Sequence, residues 1–196
     1  GRRAESLTIM AERVRCFPPV ADPATARVLI LGSMPGVASL AAQRYYAHPR
    51  NQFWPIMGAL FGAGPELPYA ERLRVLTGAG IALWDVLESC ERAGSLDAAI
   101  DVRSAQANDF AAFFDAHPGI MRIVFNGGTA ERHFRRDVLS RLQPRVRALH
   151  LERLPSTSPA HAGMAAQEKL ARWRAALQPL CAPAVEAPLS TDILYT

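Results

Sequence analysis

Among the 22 basic residues of this 196-residue sequence only one is a lysine, Lys169. Covalent chemistry through a lysine Schiff base needs an amine in the reacting loops, and none of the loops singled out below carries one. The three cysteines, Cys16, Cys90 and Cys181, lie far apart without a CxxC pair. That excludes a four-thiolate metal cluster or a closed disulfide framework built from this chain alone, and free thiols in a reducing compartment are expected. No apolar run reaches the length of a membrane span, and Gly1, Arg2, Arg3 and Glu5 do not open a signal-peptide pattern, so a cytoplasmic protein without membrane association is expected. The sequence also lacks GxGxxG, GxxxxGK[ST] and GxSxG, which removes the usual grounds for a dinucleotide cofactor, a P-loop nucleotide or an esterase elbow. No cofactor and no metal are expected.

A hydrophobic content of 49% suffices for one sizeable core, and one domain is expected over residues 1–181. Residues 182–196 contain Pro and Ala without any period and read as a tail. The formal charge of +4 and the pI near 9.3 suit a polyanionic partner, although so much Arg and Ala also fits a coding bias. A monomer is expected.

Four short apolar runs read as buried strands: residues 27–32 (RVLILG), 80–87 (GIALWDVL), 122–127 (RIVFNG) and 146–151 (VRALHL). Helical patterns cover residues 51–61, 68–77, 104–116, 129–141 and 162–177. This alternation predicts an α/β fold, a three-layer αβα sandwich around a mainly parallel four-stranded sheet. Ligands of such sheets bind at the carboxyl ends of the strands, so the loops after Leu31, Trp84, Phe125 and Leu151 are the ones to inspect.

The first of these loops, Gly32-Ser33-Met34-Pro35-Gly36, turns sharply and lets a ligand approach the backbone. Residues 45–54 (YYAHPRNQFW) then gather aromatic, imidazole, guanidinium and amide groups ahead of an amphipathic helix. Aromatic faces stack on bases, amides bond base edges or a water, and Arg pairs with phosphate. Phe53 and Trp54 share a helix face with Met57 and Leu60 and read as core. Near the other end, LPSTSPAH (residues 154–161) precedes a helix, with Ser158 and Pro159 placed like an N-cap and first turn whose hydroxyls and amides could hold a phosphate.

The order GSMPG, YYAHPRNQFW, LPSTSPAH resembles motif one, its extension, and motif two of the uracil-DNA glycosylase superfamily. Mismatch-specific members carry a similar G-x-N-P-G and F-x-H-P-x-N-R-F-W, and the hypoxanthine-DNA glycosylase branch is more similar still. The likeness runs from about Leu29 to Trp173. It implies a uracil-DNA glycosylase-like sandwich and a monofunctional enzyme that hydrolyses the N-glycosidic bond of a deaminated base in DNA, hypoxanthine or uracil, during base excision repair. Its implied partner is DNA containing such a base.

By that resemblance Asn51 takes the position of the catalytic amide and Tyr46 that of the ring stacked on the flipped base. Ser33, Met34 and Gly36 belong to the base-binding loop, Asp85 stands where the family often places an Asn that reads the base, and Asn126 opens the glycine turn behind the pocket. Ser39, His48, Arg50, Ser156, Thr157, Ser158 and His161 are the expected contacts to DNA, those of residues 156–161 forming the segment that enters the minor groove. Met34 departs from the superfamily, which has Asp or Asn there to hold the attacking water; a thioether cannot polarise water. Catalysis has then moved to Asn51, or the protein is a non-catalytic DNA-lesion binder. A uracil-specific glycosylase, favouring single strands, is the other alternative. Asp85 is equally open to an ion pair with a nearby Arg.

Overall fold

The computed structural model describes residues 10–178. Its centre is a four-stranded parallel sheet in the order β3-β2-β6-β7, formed by β2 (Val28–Gly32), β3 (Ile81–Asp85), β6 (Arg122–Asn126) and β7 (His150–Leu154). All residues of β2 and β3 are buried, as expected for parallel strands covered on both faces. Alternate side chains feed two cores. Leu29, Leu31, Ala82, Trp84, Ile123 and Phe125 pack toward α4 (Phe110–Ala116) and α5 (Gly128–His133). Val28, Ile30, Leu83 and Val124 pack toward α2 (Phe53–Phe61), α3 (Tyr69–Gly78) and α7 (Ala166–Leu177). This is the three-layer αβα sandwich that the alternation predicts. Phe53 and Trp54 are core, as their spacing implies.

A second sheet was not legible. β1 (Glu12–Arg15), β4 (Leu87–Arg92) and β5 (Ile100–Ala107) form an antiparallel sheet in the order β1-β4-β5. Residues 80–87 therefore do not make one strand: the chain leaves the parallel sheet at Asp85 and enters β4 two residues later. Residues 104–107, expected as helix, end β5, and α4 begins only at Phe110, where Asp109 Oδ1 accepts from Ala112 N–H at 3.0 Å.

The last strand also lies further along than expected. Pro144 sits in the first turn of the short α6 (Pro144–Arg147), where its fixed φ suits a helix start, and β7 begins at His150 instead of Val146. α1 (Val37–Ala42) is a short helix absent from the periodicity reading. The stretch 129–141 is α5 continued by a π-turn over Phe134–Val138 and a 3-10 turn over Leu139–Arg141. The stretch 162–177 is helical only from Ala166, so Ser158 and Pro159 do not start that helix; Ser158 Oγ instead accepts from Ala160 N–H in a local turn. No helix among the described residues is long and apolar enough to cross a membrane. The tail at 182–196 and Cys181 lie outside the described residues.

α7 positions the loop that follows β7. Trp173 is fully buried among Phe53, Val124 and Leu177, and its indole N–H donates to Pro155 O at 3.0 Å. Trp173→Ala should lower the stability measured by urea unfolding by about 3–5 kcal/mol, with Trp173→Phe losing less. An unchanged midpoint for the Ala variant would show that this contact does not anchor the loop.

Candidate active site

The loops leaving the carboxyl ends of β2, β3, β6 and β7 enclose one cavity of about 450 Å³. Every candidate site residue named from the sequence lines it except Arg50, which is exposed outside it. Tyr46, Asn51 and Ser156, aromatic, amide and hydroxyl groups from two segments far apart in the sequence, thus face one space.

The floor is built where β2 and β3 end side by side, Gly32 opposite Asp85. A Cβ on Gly32 would lie 2.5 Å from Asp85 Oδ1 and 3.3 Å from the Tyr46 hydroxyl, so only glycine lets these groups approach. Asp85 is 4% exposed, and its Oδ2 is buried without a hydrogen-bond partner. Burial, reinforced by Asp97 and partly opposed by Arg92, pushes the Asp85 carboxyl up to about 7. Tyr46 adopts φ +54° and stacks on Phe53 with ring centroids 4.0 Å apart. Its hydroxyl is held above the ordinary tyrosine range by burial and by Asp85, against a lowering hydrogen bond with Asn126.

Asn51 stands just before α2. Its Oδ1 accepts from Phe53 N–H at 2.9 Å, which fixes the side chain by a turn of the kind that starts helices, while Nδ2 has no partner among the described residues. His48 Nδ1 accepts from Arg50 N–H at 3.1 Å. The loop is held on α1 by Ser39, whose Oγ accepts from Ala47 N–H at 3.1 Å. Ser39 is 6% exposed and acts as a strut in the cavity wall.

Thr157 is a second strut. It is 1% exposed and lies in the cavity wall. Its N–H donates to Asn126 Oδ1 and its Oγ accepts from Asn126 Nδ2, both at 2.9 Å, while its carbonyl accepts from Gln52 N–H at 3.0 Å. Both polar atoms of the Asn126 amide are therefore engaged with Thr157, and Asn126 shapes the cavity more than it offers groups to a ligand. Gly127, at φ +95°, passes close under Ser156. Ser156 Oγ accepts from Ser158 N–H at 3.2 Å, which leaves the hydroxyl proton available to donate. The single lysine is buried behind this loop, Lys169 Nζ donating to His161 O at 2.6 Å; it does not line the cavity.

The remaining wall comes from the β4–β5 connection, which sequence reasoning missed. Ser33 Oγ donates to Asp97 Oδ1 at 2.7 Å, and Val37 N–H donates to Ser95 Oγ at 2.8 Å. Arg92, 1% exposed, donates from Nη2 to Pro35 O at 2.6 Å and from Nε to Gly94 O at 2.7 Å. A buried guanidinium thus clamps the GSMPG loop onto the hairpin, and no local pattern around Arg92 or Asp97 announces it. Met34, 6% exposed, both lines the cavity and belongs to the core. Among the described residues no group of three or more His, Cys, Asp or Glu side chains could hold a metal ion.

The cavity therefore offers a flat ring, a carboxyl group and an amide donor in a space suited to one planar heterocycle, bordered by hydroxyls suited to phosphate. The chain is also similar to known proteins over most of its length. A hypoxanthine DNA glycosylase of Methanosarcina acetivorans is 35% identical over 150 residues, covering 75% of this chain and 87% of that protein. A hypoxanthine DNA glycosylase of Methanosarcina barkeri is 38% identical over 112 residues, 57% of this chain and 69% of that protein. The solution NMR structure of a candidate uracil DNA glycosylase from Methanosarcina acetivorans superposes with a TM-score of 0.69 at 30% identity, covering 86% of this chain and 99% of that one. Residues 18–180, which contain all the loops of the cavity, match the uracil DNA glycosylase superfamily, and the chain belongs to that superfamily.

Proposed function

We propose that the protein is a monofunctional DNA glycosylase, acting as a monomer, that removes hypoxanthine from deoxyinosine in DNA. The observation that carries this reading is the placement of the buried Asp85 carboxyl at the cavity floor, where its Oδ1 and the Tyr46 hydroxyl crowd the same side of Gly32 and its Oδ2 has no hydrogen-bond partner. Hypoxanthine and uracil share a lactam edge, an N–H beside a carbonyl. A protonated carboxyl matches it twice, its carbonyl accepting the N–H and its O–H donating to the base oxygen. Stacking on the Tyr46 ring adds roughly 1–3 kcal/mol per base.

Breaking the bond between C1′ and the base nitrogen leaves the electron pair on the base and a cationic sugar, which a water then captures at C1′ with loss of a proton. Two preorganised groups suffice for this: donors for the departing base and one group that places the water. Asn51 supplies both in this reading, Nδ2 as the donor and the second lone pair of Oδ1 for the water. The buried thioether of Met34 takes no part in activating water, and motivates the one rival, a lesion binder that does not cut. Ser156, Ser158 and His161 hold the phosphates around the extruded nucleotide, with His48 and Arg50 at the edge.

Incubation with oligonucleotides containing deoxyinosine, deoxyuridine or deoxyxanthosine should release free hypoxanthine fastest. Release of uracil alone would make the enzyme uracil-specific, and tight lesion binding without release from any strand would select the lesion binder. Asn51→Ala should lower the single-turnover rate by about 100-fold or more while keeping lesion binding, as for loss of one preorganised donor. An unreduced rate would refute the assignment.

The raised Asp85 pKa fixes the sign of two pH effects. The folded state holds this proton up to about pH 7, whereas an unfolded aspartate ionises near its ordinary value of 3.8. Its contribution to stability is therefore complete below about pH 4 and is lost progressively as pH rises toward 7. Asp85→Asn should raise the melting temperature at pH 8 relative to the unsubstituted protein and change it little at pH 4. If the protonated form reads the base, kcat/KM for deoxyinosine falls about tenfold per pH unit above 7, and the Asn variant flattens that limb. A wild-type profile still rising through pH 8 would contradict this role.

A further inference from the structure

A second concavity of about 690 Å³ adjoins the first and shares Asp97, Ala98, Thr129 and Arg132 with it. One side is β5, contributing Ile100 and the exposed Val102; the other is α5 with its π-turn, contributing Arg132, Arg135 and Arg136. The spacing of three and four residues places these three guanidinium groups on one face of the helix. Carboxylates hold two of them from beneath. Arg135 pairs with Glu131 at 3.0 Å and Arg136 with Asp137 at 2.6 Å, and in each pair the acid is the more covered partner, 19% against 47% exposed and 30% against 49%. Arg132 has no carboxylate partner among the described residues and bonds only the Thr129 hydroxyl at 3.0 Å.

We infer that this groove carries the DNA strand flanking the extruded nucleotide, with Arg132, Arg135 and Arg136 on successive phosphates. The inference rests on the reading that DNA is the substrate. Two observations select a nucleic-acid backbone as the occupant. The groove opens directly from the base cavity at Arg132, so a strand whose nucleotide enters that cavity has its neighbouring phosphates within reach. Its rim also presents guanidinium groups outward while the balancing acids are covered, an arrangement complementary to a polyanion. The apolar Ile100 and Val102 on the opposite side suit sugar edges, which need no charge. Contacts of this kind fix register and strength without reading sequence.

Fluorescence anisotropy with two duplexes, one undamaged and one containing deoxyinosine, titrated at several salt concentrations, tests the proposal. Each of Arg132→Ala, Arg135→Ala and Arg136→Ala should weaken binding to both duplexes alike and reduce the slope of log K against log salt by about 0.9, the combined variant by about three times that. The Lys replacements should retain the slope, and Arg74→Ala on α3, away from the groove, should leave it unchanged. A combined variant with the wild-type slope would overturn the proposal. So would a loss confined to the deoxyinosine duplex, since that would put these side chains on the base. Because undamaged DNA is one of the ligands, a wild-type protein that binds both duplexes steeply yet releases no base would retire the catalytic reading and leave the groove standing.

Discussion

Thr157 joins the three segments on which the cavity depends. Its backbone and hydroxyl are held by Asn126 at the end of β6, and its carbonyl by Gln52 beside the amide of Asn51. Thr157 itself is buried, and leaving a buried polar group unmatched costs roughly 1–3 kcal/mol. The loop after β7 therefore cannot drift away from the loop before α2 without exposing or orphaning several groups together. The spacing between the Asn51 amide and the Ser156 and Ser158 hydroxyls is thereby set by strand ends and not by the loops' own preferences.

On the opposite wall the protein accepts buried charge. Arg92 is covered by protein and bonds two carbonyls, one of them Pro35 of the GSMPG loop, and Asp97 receives the Ser33 hydroxyl. Asp85 lies in the field of both, and burial holds its proton near neutral pH. A fold optimised for stability alone would not retain a carboxyl oxygen and a guanidinium nitrogen buried without partners, as Asp85 Oδ2 and Arg92 Nη1 are. An incoming base edge that satisfies the carboxyl would convert that cost into affinity and discrimination, since a base lacking the complementary N–H leaves it unmatched.

The parallel sheet was legible because strands covered on both faces read as continuous apolar runs, as in Val28–Gly32 and Arg122–Asn126. The antiparallel β4–β5 unit was hidden because its burial is irregular, interrupted by register shifts, and its polar residues imitate a helix start. Local composition marked the cavity loops well, since Tyr46, Asn51 and the serines sit in segments too rich in functional groups for simple connections. It gave no sign that Ser39 and Thr157, both buried, brace the cavity wall through hydrogen bonds to Ala47 and Asn126. Arg92, Asp97 and Arg132 were invisible for a different reason: Asp97 and Arg132 reach the cavity, and Arg92 the loop that lines it, only through tertiary packing of elements whose own sequence pattern is unremarkable.

The central claim is that one extruded base enters the cavity with its lactam edge on Asp85 and its face on Tyr46. A crystal structure with duplex DNA carrying an uncleavable deoxyinosine analogue tests it most directly. The account predicts the purine against the Tyr46 ring, with its N–H and carbonyl within hydrogen-bond distance of the Asp85 carboxyl and the Asn51 amide near the glycosidic bond. A base left stacked in the duplex, or seated away from both Tyr46 and Asp85, would contradict it.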